Sequence, residues 1–346
     1  MSLEIYRKSV KRFLTAVLTL SILAILTLST SLSLGTSKTF SWDVLPCVLS
    51  FLRGCDEGTL SIAKIRVART LASFFGGSAL GVAGVLTQAI TRNPLAEPYI
   101  LGLSSTALTA VALTFLVSSS LVVYRGVMIL IAFAGALIGY FLTLTLSRLA
   151  GNSSHSLILA GIAVTSFFSG ISHILLYLVQ GVLRTPYVFL LMGSTSYVLL
   201  EEINYIAIPT VLATAAVLFL GLPKMLNAYI YGDEHAKQLG FNPKYVSTLS
   251  AFISSLLTAS VVAVLGIIGF LGLAVPHITR ALVGSDHRYV VPTAFVVGGL
   301  LLTLADVCVR LISLTPLGLS ELPVGIVTSV MGAPFLAYLI LRGGSR

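Results

Sequence analysis

Long apolar runs alternate along this chain with short polar breaks. Within each run the apolar residues are continuous, not alternating, so the pattern reads as helices and not as the strands of a barrel. Ten runs approach the roughly 20 residues that cross a bilayer's hydrocarbon core. They fall at about 13–34, 67–90, 99–119, 122–147, 157–180, 203–222, 246–265, 268–280, 291–314 and 322–341. The eighth is short and glycine-rich ("GIIGFLGLAVP"), which predicts a broken helix. Between the first two runs, "GTSKTFSWDVLPCVLSFLRGCDEGTLSIAKI" has an apolar middle that suggests a short interfacial helix. The longest break on the opposite side spans about 223–244. The expected architecture is an all-α, polytopic transmembrane bundle of about ten helices, a single domain over 1–346.

Composition strengthens this picture. Of 346 residues, 56% are hydrophobic and 10% charged, against about 25% charged in a soluble domain. The net charge of +9 would raise nucleic acid as a partner in a soluble protein. Here the basic residues are scattered between spans, where they orient the chain in the bilayer. The first run follows Arg7, Lys8, Lys11 and Arg12, is long enough to span, and precedes no A-x-A-like cleavage site. It reads as a retained first helix with a cytoplasmic N-terminus. An even number of spans puts both termini inside, with 13 of the 21 basic residues on that side. The other eight, including Lys38, Arg66, Arg69, Arg184 and Arg310, are more than orientation requires.

Several features allow structural readings. Gly77/Gly81 and Gly135/Gly139 are GxxxG pairs, as expected where helices approach closely in lipid. Cys47 and Cys55 share one polar loop and would pair if that loop faces an oxidising space; Cys308 lies in an apolar run. No zinc-type spacing occurs. Of five histidines, His155, His235, His277 and His287 fall at cytoplasmic ends or loops and His173 lies in the fifth span; one histidine on an apolar face does not make a haem site. His277, beside Pro276, is expected to satisfy backbone groups freed by the proline. Asp306 is the clear intramembrane acid and calls for a polar partner.

"RNPLAEPYILG" (92–102) is a polar knot between two apolar runs, where Pro94 and Pro98 stop one helix and start the next. Four other stretches stand out: "LILAGIAV" (157–164), "YGDEHAKQLGFN" (231–242), "GIIGFLGLAVPHITRALVGSDHR" (266–288) and "ELPVGIVTSVMGAPFLAYLI" (321–340). Together with "IRVARTLASFFGGSALGVAGVLTQAITRNPLAEPYILGLS" (65–104), they resemble the permease subunits of ABC importers for iron-siderophore, haem and cobalamin, the FecCD/BtuC-like family. The resemblance runs over nearly the whole chain. It implies a homodimer with one pore at the subunit interface, two cytoplasmic ATPase subunits carrying ATP and Mg, and an extracytoplasmic substrate-binding protein.

The residues fit a transporter powered from outside its own chain. No G-x-x-x-x-G-K-[ST] phosphate loop occurs, so ATP hydrolysis is expected on partner subunits. In "GDEHAKQLG", Gly232 and Asp233 suit a helix start, Glu234 its first turn and Gly240 its end. Ala236 and Leu239 are expected to share a face. By resemblance this segment is the coupling helix that docks on the ATPase. Arg66 and Arg69 share one face at the start of the second span, and Arg310 lies near the end of the ninth. By resemblance these arginines meet acidic residues of the binding protein, although the chain has "RVAR" where the family more often has "RLPR". The implied cytoplasmic gate comprises Asn93 and Leu95 with Ser154 and His155. The fifth span, with Thr165, Ser166, Ser169 and Ser172, fits a pore wall that offers hydroxyls without fixed charge. Glu97 is expected to brace the gate loop from behind.

Two other classes compete. An ion-driven secondary transporter would work without an ATPase and would need an essential midplane acid, with Asp306 the candidate. A polytopic membrane enzyme would need clustered nucleophiles, carboxylates or metal ligands at one depth, and the sequence offers no such cluster.

Overall fold

The computed structural model describes residues 3–35, 43–117, 125–151, 153–183, 192–315 and 322–343. Lys38 and Arg184 lie outside the described residues, as does the Ser154 side chain. The described residues form thirteen α-helices and no strand. In chain order these are α1 (Leu3–Ser33), α2 (Val44–Leu49), α3 (Glu57–Thr91), α4 (Leu103–Val117), α5 (Arg125–Leu149), α6 (Ser154–Leu183) and α7 (Asn204–Phe219). After these come α8 (Leu222–Tyr229), α9 (Asp233–Gln238), α10 (Pro243–Leu265), α11 (Leu271–Val283), α12 (His287–Ser313) and α13 (Val324–Gly343). Two 3-10 turns, Pro98–Leu101 and Leu200–Ile203, precede α4 and α7.

Seven of these helices are long and apolar enough to cross a membrane, and α4, α11 and α13 contribute three shorter apolar segments. All ten expected spans therefore correspond to apolar helices. The short helix expected between the first two spans is α2. The third span starts later than expected, because Pro98–Leu101 forms a 3-10 turn and Gly102 takes a left-handed conformation before α4 begins.

The long helix α3 runs through the centre of the bundle, with α12, α10, α11 and α7 packed around it. Its start is capped by Asp56, whose carboxylate accepts the Thr59 amide at 2.9 Å. Its closest approach is to α12. A Cβ on Gly77 would lie 2.1 Å from the Gly298 carbonyl oxygen, and one on Gly298 would lie 2.2 Å from that of Gly77. Only glycine permits backbones this close. The Gly77/Gly81 and Gly135/Gly139 pairs thus serve helix packing, the second against Thr106, Ala107 and Ala110 of α4.

At one end of the bundle α2 is tied to the start of α3 by a disulfide between Cys47 and Cys55, with Cα atoms 5.8 Å apart. The pairing left open by the sequence is thus made. At the opposite end α8, α9 and the α11–α12 turn cluster. The expected break in the eighth span is real: α10 ends at Leu265, and Gly266–Phe270 separates it from α11.

Candidate coupling helix and gate

Helix α9 is built as its sequence anticipates. Gly232 precedes it at φ 121°, and Gly240 follows at φ 82°. The Phe241 amide bonds the Ala236 carbonyl at 2.9 Å and the Gly240 amide that of Lys237 at 2.9 Å, the double bond of a Schellman terminus. Lys237 bridges to Glu234 at 2.6 Å. That hydrogen bond, reinforced by the Glu234 charge, raises the Lys237 ammonium above its ordinary pKa. The structure corrects one expectation. Ala236 and Leu239, expected to share a face, differ in environment, because Ala236 is fully buried while Leu239, at the helix end, is 54% exposed. Ala236 anchors α9 to its own chain, and Leu239 is offered outward.

Arg92 supplies the link that the sequence did not reveal. It ends α3 in the left-handed region at φ 50°, sparsely populated for a non-glycine residue. Its side chain fixes it there from three directions. Nε donates to the Tyr229 carbonyl at 3.0 Å, the guanidinium lies 4.2 Å from the Tyr229 ring centroid, and Nη2 forms an ion pair with Asp233, the first residue of α9. Helix α9 is thus bonded to the turn that carries Asn93 and Leu95.

Within that turn, the Asn93 carboxamide oxygen accepts the Leu95 amide at 2.9 Å, an Asx turn. Leu95 is exposed. Glu97 braces the turn by reaching across to the α10–α11 break, where its carboxylate accepts the Phe270 amide at 2.6 Å. The Tyr99 hydroxyl accepts the Ile268 amide at 3.1 Å. Phe270 is held at φ 77° at the start of α11, so the 92–102 turn and the broken helix form one unit. The 3-10 turn also meets α6, where a Cβ on Gly161 would fall 1.7 Å from the Ile100 carbonyl oxygen. In the loop before α6, the other half of the expected gate, His155 is exposed in the first turn of the helix. Ser153 and Ser156 start this helix reciprocally. The Ser156 amide donates to the Ser153 hydroxyl at 3.0 Å, and the Ser153 amide to that of Ser156 at 2.7 Å. The sequence reading missed both serines, although Ser at N-cap and N3 is a cap signal.

The four α6 hydroxyls do not form one wall. Ser166 is exposed, whereas Ser172 is buried and donates to the Ser169 carbonyl at 2.9 Å. Thr165 and Ser169 are half-buried, and the Thr165 hydroxyl has no partner among the described residues. The open stripe of α6 runs instead through Ala163, Ser166, Gly170 and His173, at helical spacing. His173 bonds its own helix through Nδ1 and the Ser169 carbonyl at 2.6 Å. His277 likewise bonds the Leu273 carbonyl at 2.9 Å, one residue past the Gly272 carbonyl that Pro276 leaves free.

The arginines expected on a docking rim are interior groups. Arg66, Arg69 and Arg310 are 5%, 5% and 1% exposed. Asp306, fully buried, receives Arg69 Nε at 2.8 Å, Arg310 Nε at 2.9 Å and the Thr195 hydroxyl. Arg310 also donates to the Ser31 and Leu34 carbonyls, and Arg66 to those of Leu32 and Ser33. Cations at a helix C-terminus satisfy its orphan carbonyls and its dipole. The three side chains therefore clamp the end of α1 onto α3 and α12 and are not displayed to a partner. Asp306 gains the polar partners expected for it. A secondary transporter's acid must be reachable from an aqueous path, which this burial denies.

Ten apolar helices around a central glycine-lined crossing, with a surface helix bonded to an inter-helix turn, define a polytopic membrane permease. The FecCD transport family matches residues 22–342, and the chain belongs to that family. It is 35% identical to the Fe(3+)-citrate import system permease protein of Bacillus subtilis, over 97% of each chain. It is 35% identical to the hemin transport system permease protein of Yersinia pestis, over 81% of this chain and 82% of the relative. The cobalamin import system permease protein of Halobacterium salinarum is 34% identical over 81% of this chain and 73% of its own. A solved structure described as an inward-facing conformation of a metal-chelate type ABC transporter superposes with a TM-score of 0.76 at 29% identity, covering 95% of this chain and 99% of that one.

Proposed function

We propose that this chain is the membrane permease subunit of an ATP-driven ABC importer for a metal chelate, of the iron-chelate, haem or cobalamin class. Two copies enclose the translocation pore, with the open stripe of α6 along it. Two ATPase subunits bearing ATP and Mg dock at α9, and a substrate-binding protein delivers cargo at the α2 end. The α9 end is cytoplasmic, with both chain termini. The Cys47–Cys55 disulfide supports this orientation, since disulfides persist on the oxidising side.

The observation that carries the reading is the Arg92–Asp233 ion pair. An ATPase that displaces α9 pulls directly on the turn holding Asn93 and Leu95. Through Glu97 and Tyr99 the same motion reaches the start of α11. ATP binding on the partners then biases a two-state equilibrium between outward- and inward-open arrangements. The chain performs no chemistry on its cargo.

The test is uptake of an iron chelate into vesicles that hold the chain with its ATPase and binding protein. Uptake is expected only with ATP. Uptake by the chain alone, driven by an ion gradient, would overturn the reading in favour of a secondary transporter.

A further inference from the structure

Where α3, α8 and α11 end at the α9 side, residues at and just beyond their ends line an open pocket of about 250 Å³. Its walls are Gln88, Arg92, Ile230, Arg280, Ser285 and His287, with Ala89 and Pro94 beside them. A water occupies about 30 Å³ of liquid, so the space admits a group several waters in size.

The charges of this pocket do not balance. Arg92 is paired with Asp233, and Asp286, next to His287, is paired with Arg288 at 2.6 Å. Arg280 is half-buried and meets no carboxylate among the described residues. Its one hydrogen bond is Nη2 to the neutral Gln88 carboxamide at 2.6 Å. Four of its five N–H donors have no partner among the described residues. The open N–H donors are free to meet a ligand, and a planar fork of donors matches phosphate oxygens in particular. The exposed Ser285 hydroxyl and the edge of Arg92 complete the donor set. His287 Nδ1 is engaged by Asn227 at 2.7 Å, so that wall is fixed.

We propose that this pocket is a binding site for a phosphate-bearing anion, with the Arg280 guanidinium as its principal ligand. Basic pockets between helices at a cytoplasmic surface suit anionic headgroups, and free phosphate offers the same chemistry. The bound anion bridges the gate turn and the α11–α12 turn, and it borders the Arg92 that holds α9.

The test uses the purified full chain in nanodiscs. Thermal unfolding is followed in phosphatidylcholine alone, in phosphatidylcholine with phosphatidylglycerol, and in phosphatidylcholine with inorganic phosphate at constant ionic strength. A rise of about 3 °C or more is expected with at least one ligand. A rise only with phosphatidylglycerol identifies a headgroup site, and a rise with phosphate a free-anion site. Arg280→Gln should abolish the rise, while Arg288→Gln, outside the pocket, should keep it. Ser285→Asp changes only an exposed rim residue and should also abolish the rise, whether or not Arg280→Gln folds. No rise for the wild type with either ligand, or an undiminished rise in Ser285→Asp, overturns the proposal.

Discussion

Asp306 is held by two guanidinium groups and a hydroxyl with none of its surface exposed. Removing one partner of a buried ion pair leaves the others uncompensated and costs about 3–5 kcal/mol. Asp306→Asn is therefore expected to lower the thermal midpoint of the purified chain sharply, and an unchanged midpoint would contradict the clamp. The sequence identified Asp306 as needing a partner and grouped Arg66 with Arg69 by helical spacing. It could not join them, because Arg69 and Asp306 are 237 residues apart in the chain and spacing reveals a shared face but not what covers it. Asp286 makes a second residue-level prediction. Partial burial alone would raise its carboxyl, but hydrogen bonds from the Arg288 side chain and amide and from Asn227 outweigh this and hold it below its usual pKa. A depressed carboxyl stabilises the fold fully above the unfolded value of about 4 and loses that effect as pH falls through the folded value. The stability gap between wild type and Asp286→Asn should thus be widest near neutrality and close below pH ~4. A gap that widens with acidity would refute the assignment.

At the scale of elements, the ten apolar runs were legible because continuous hydrophobicity over about 20 residues has few other solutions. The glycine-rich break before α11 was legible for a similar reason. What braces it was not, since Glu97 and Tyr99 reach it from a turn about 170 residues earlier. The α6 face was half legible. Helical spacing grouped its hydroxyls, but only packing against α4 decided that Ser172 points inward and the Ser166 stripe outward. The α3–α12 crossing tolerates no side chain at its centre. Gly77→Val should prevent recovery of a monodisperse folded chain by gel filtration, while Gly170→Ala, with open space around it, should not. Equal recovery of the two would contradict the crossing. The disulfide tests orientation: a membrane-impermeant reductant added outside intact cells should free the Cys47 and Cys55 thiols for labelling. Labelling only after the membrane is breached would invert the proposed topology.

For the molecule as a whole, the chain joins a surface helix, the 92–102 turn and a broken helix into one line of contacts through Arg92, Asp233, Glu97 and Phe270. The Arg92–Asp233 pair is partly exposed, with 31% and 55% of its side-chain surfaces accessible. It therefore contributes less than about 1 kcal/mol to stability. Its importance lies in what it connects, which separates a coupling defect from a folding defect. The most direct measurement is the ratio of chelate imported to ATP hydrolysed in vesicles containing the chain with its ATPase and binding protein. Asp233→Arg should leave the thermal midpoint nearly unchanged, Arg92→Asp, which also loses its Tyr229 contacts, should lower it modestly, and each should lower that ratio at least tenfold. The double exchange, which restores the pair with its charges reversed, should recover much of it. A wild-type ratio in both single variants would contradict the account.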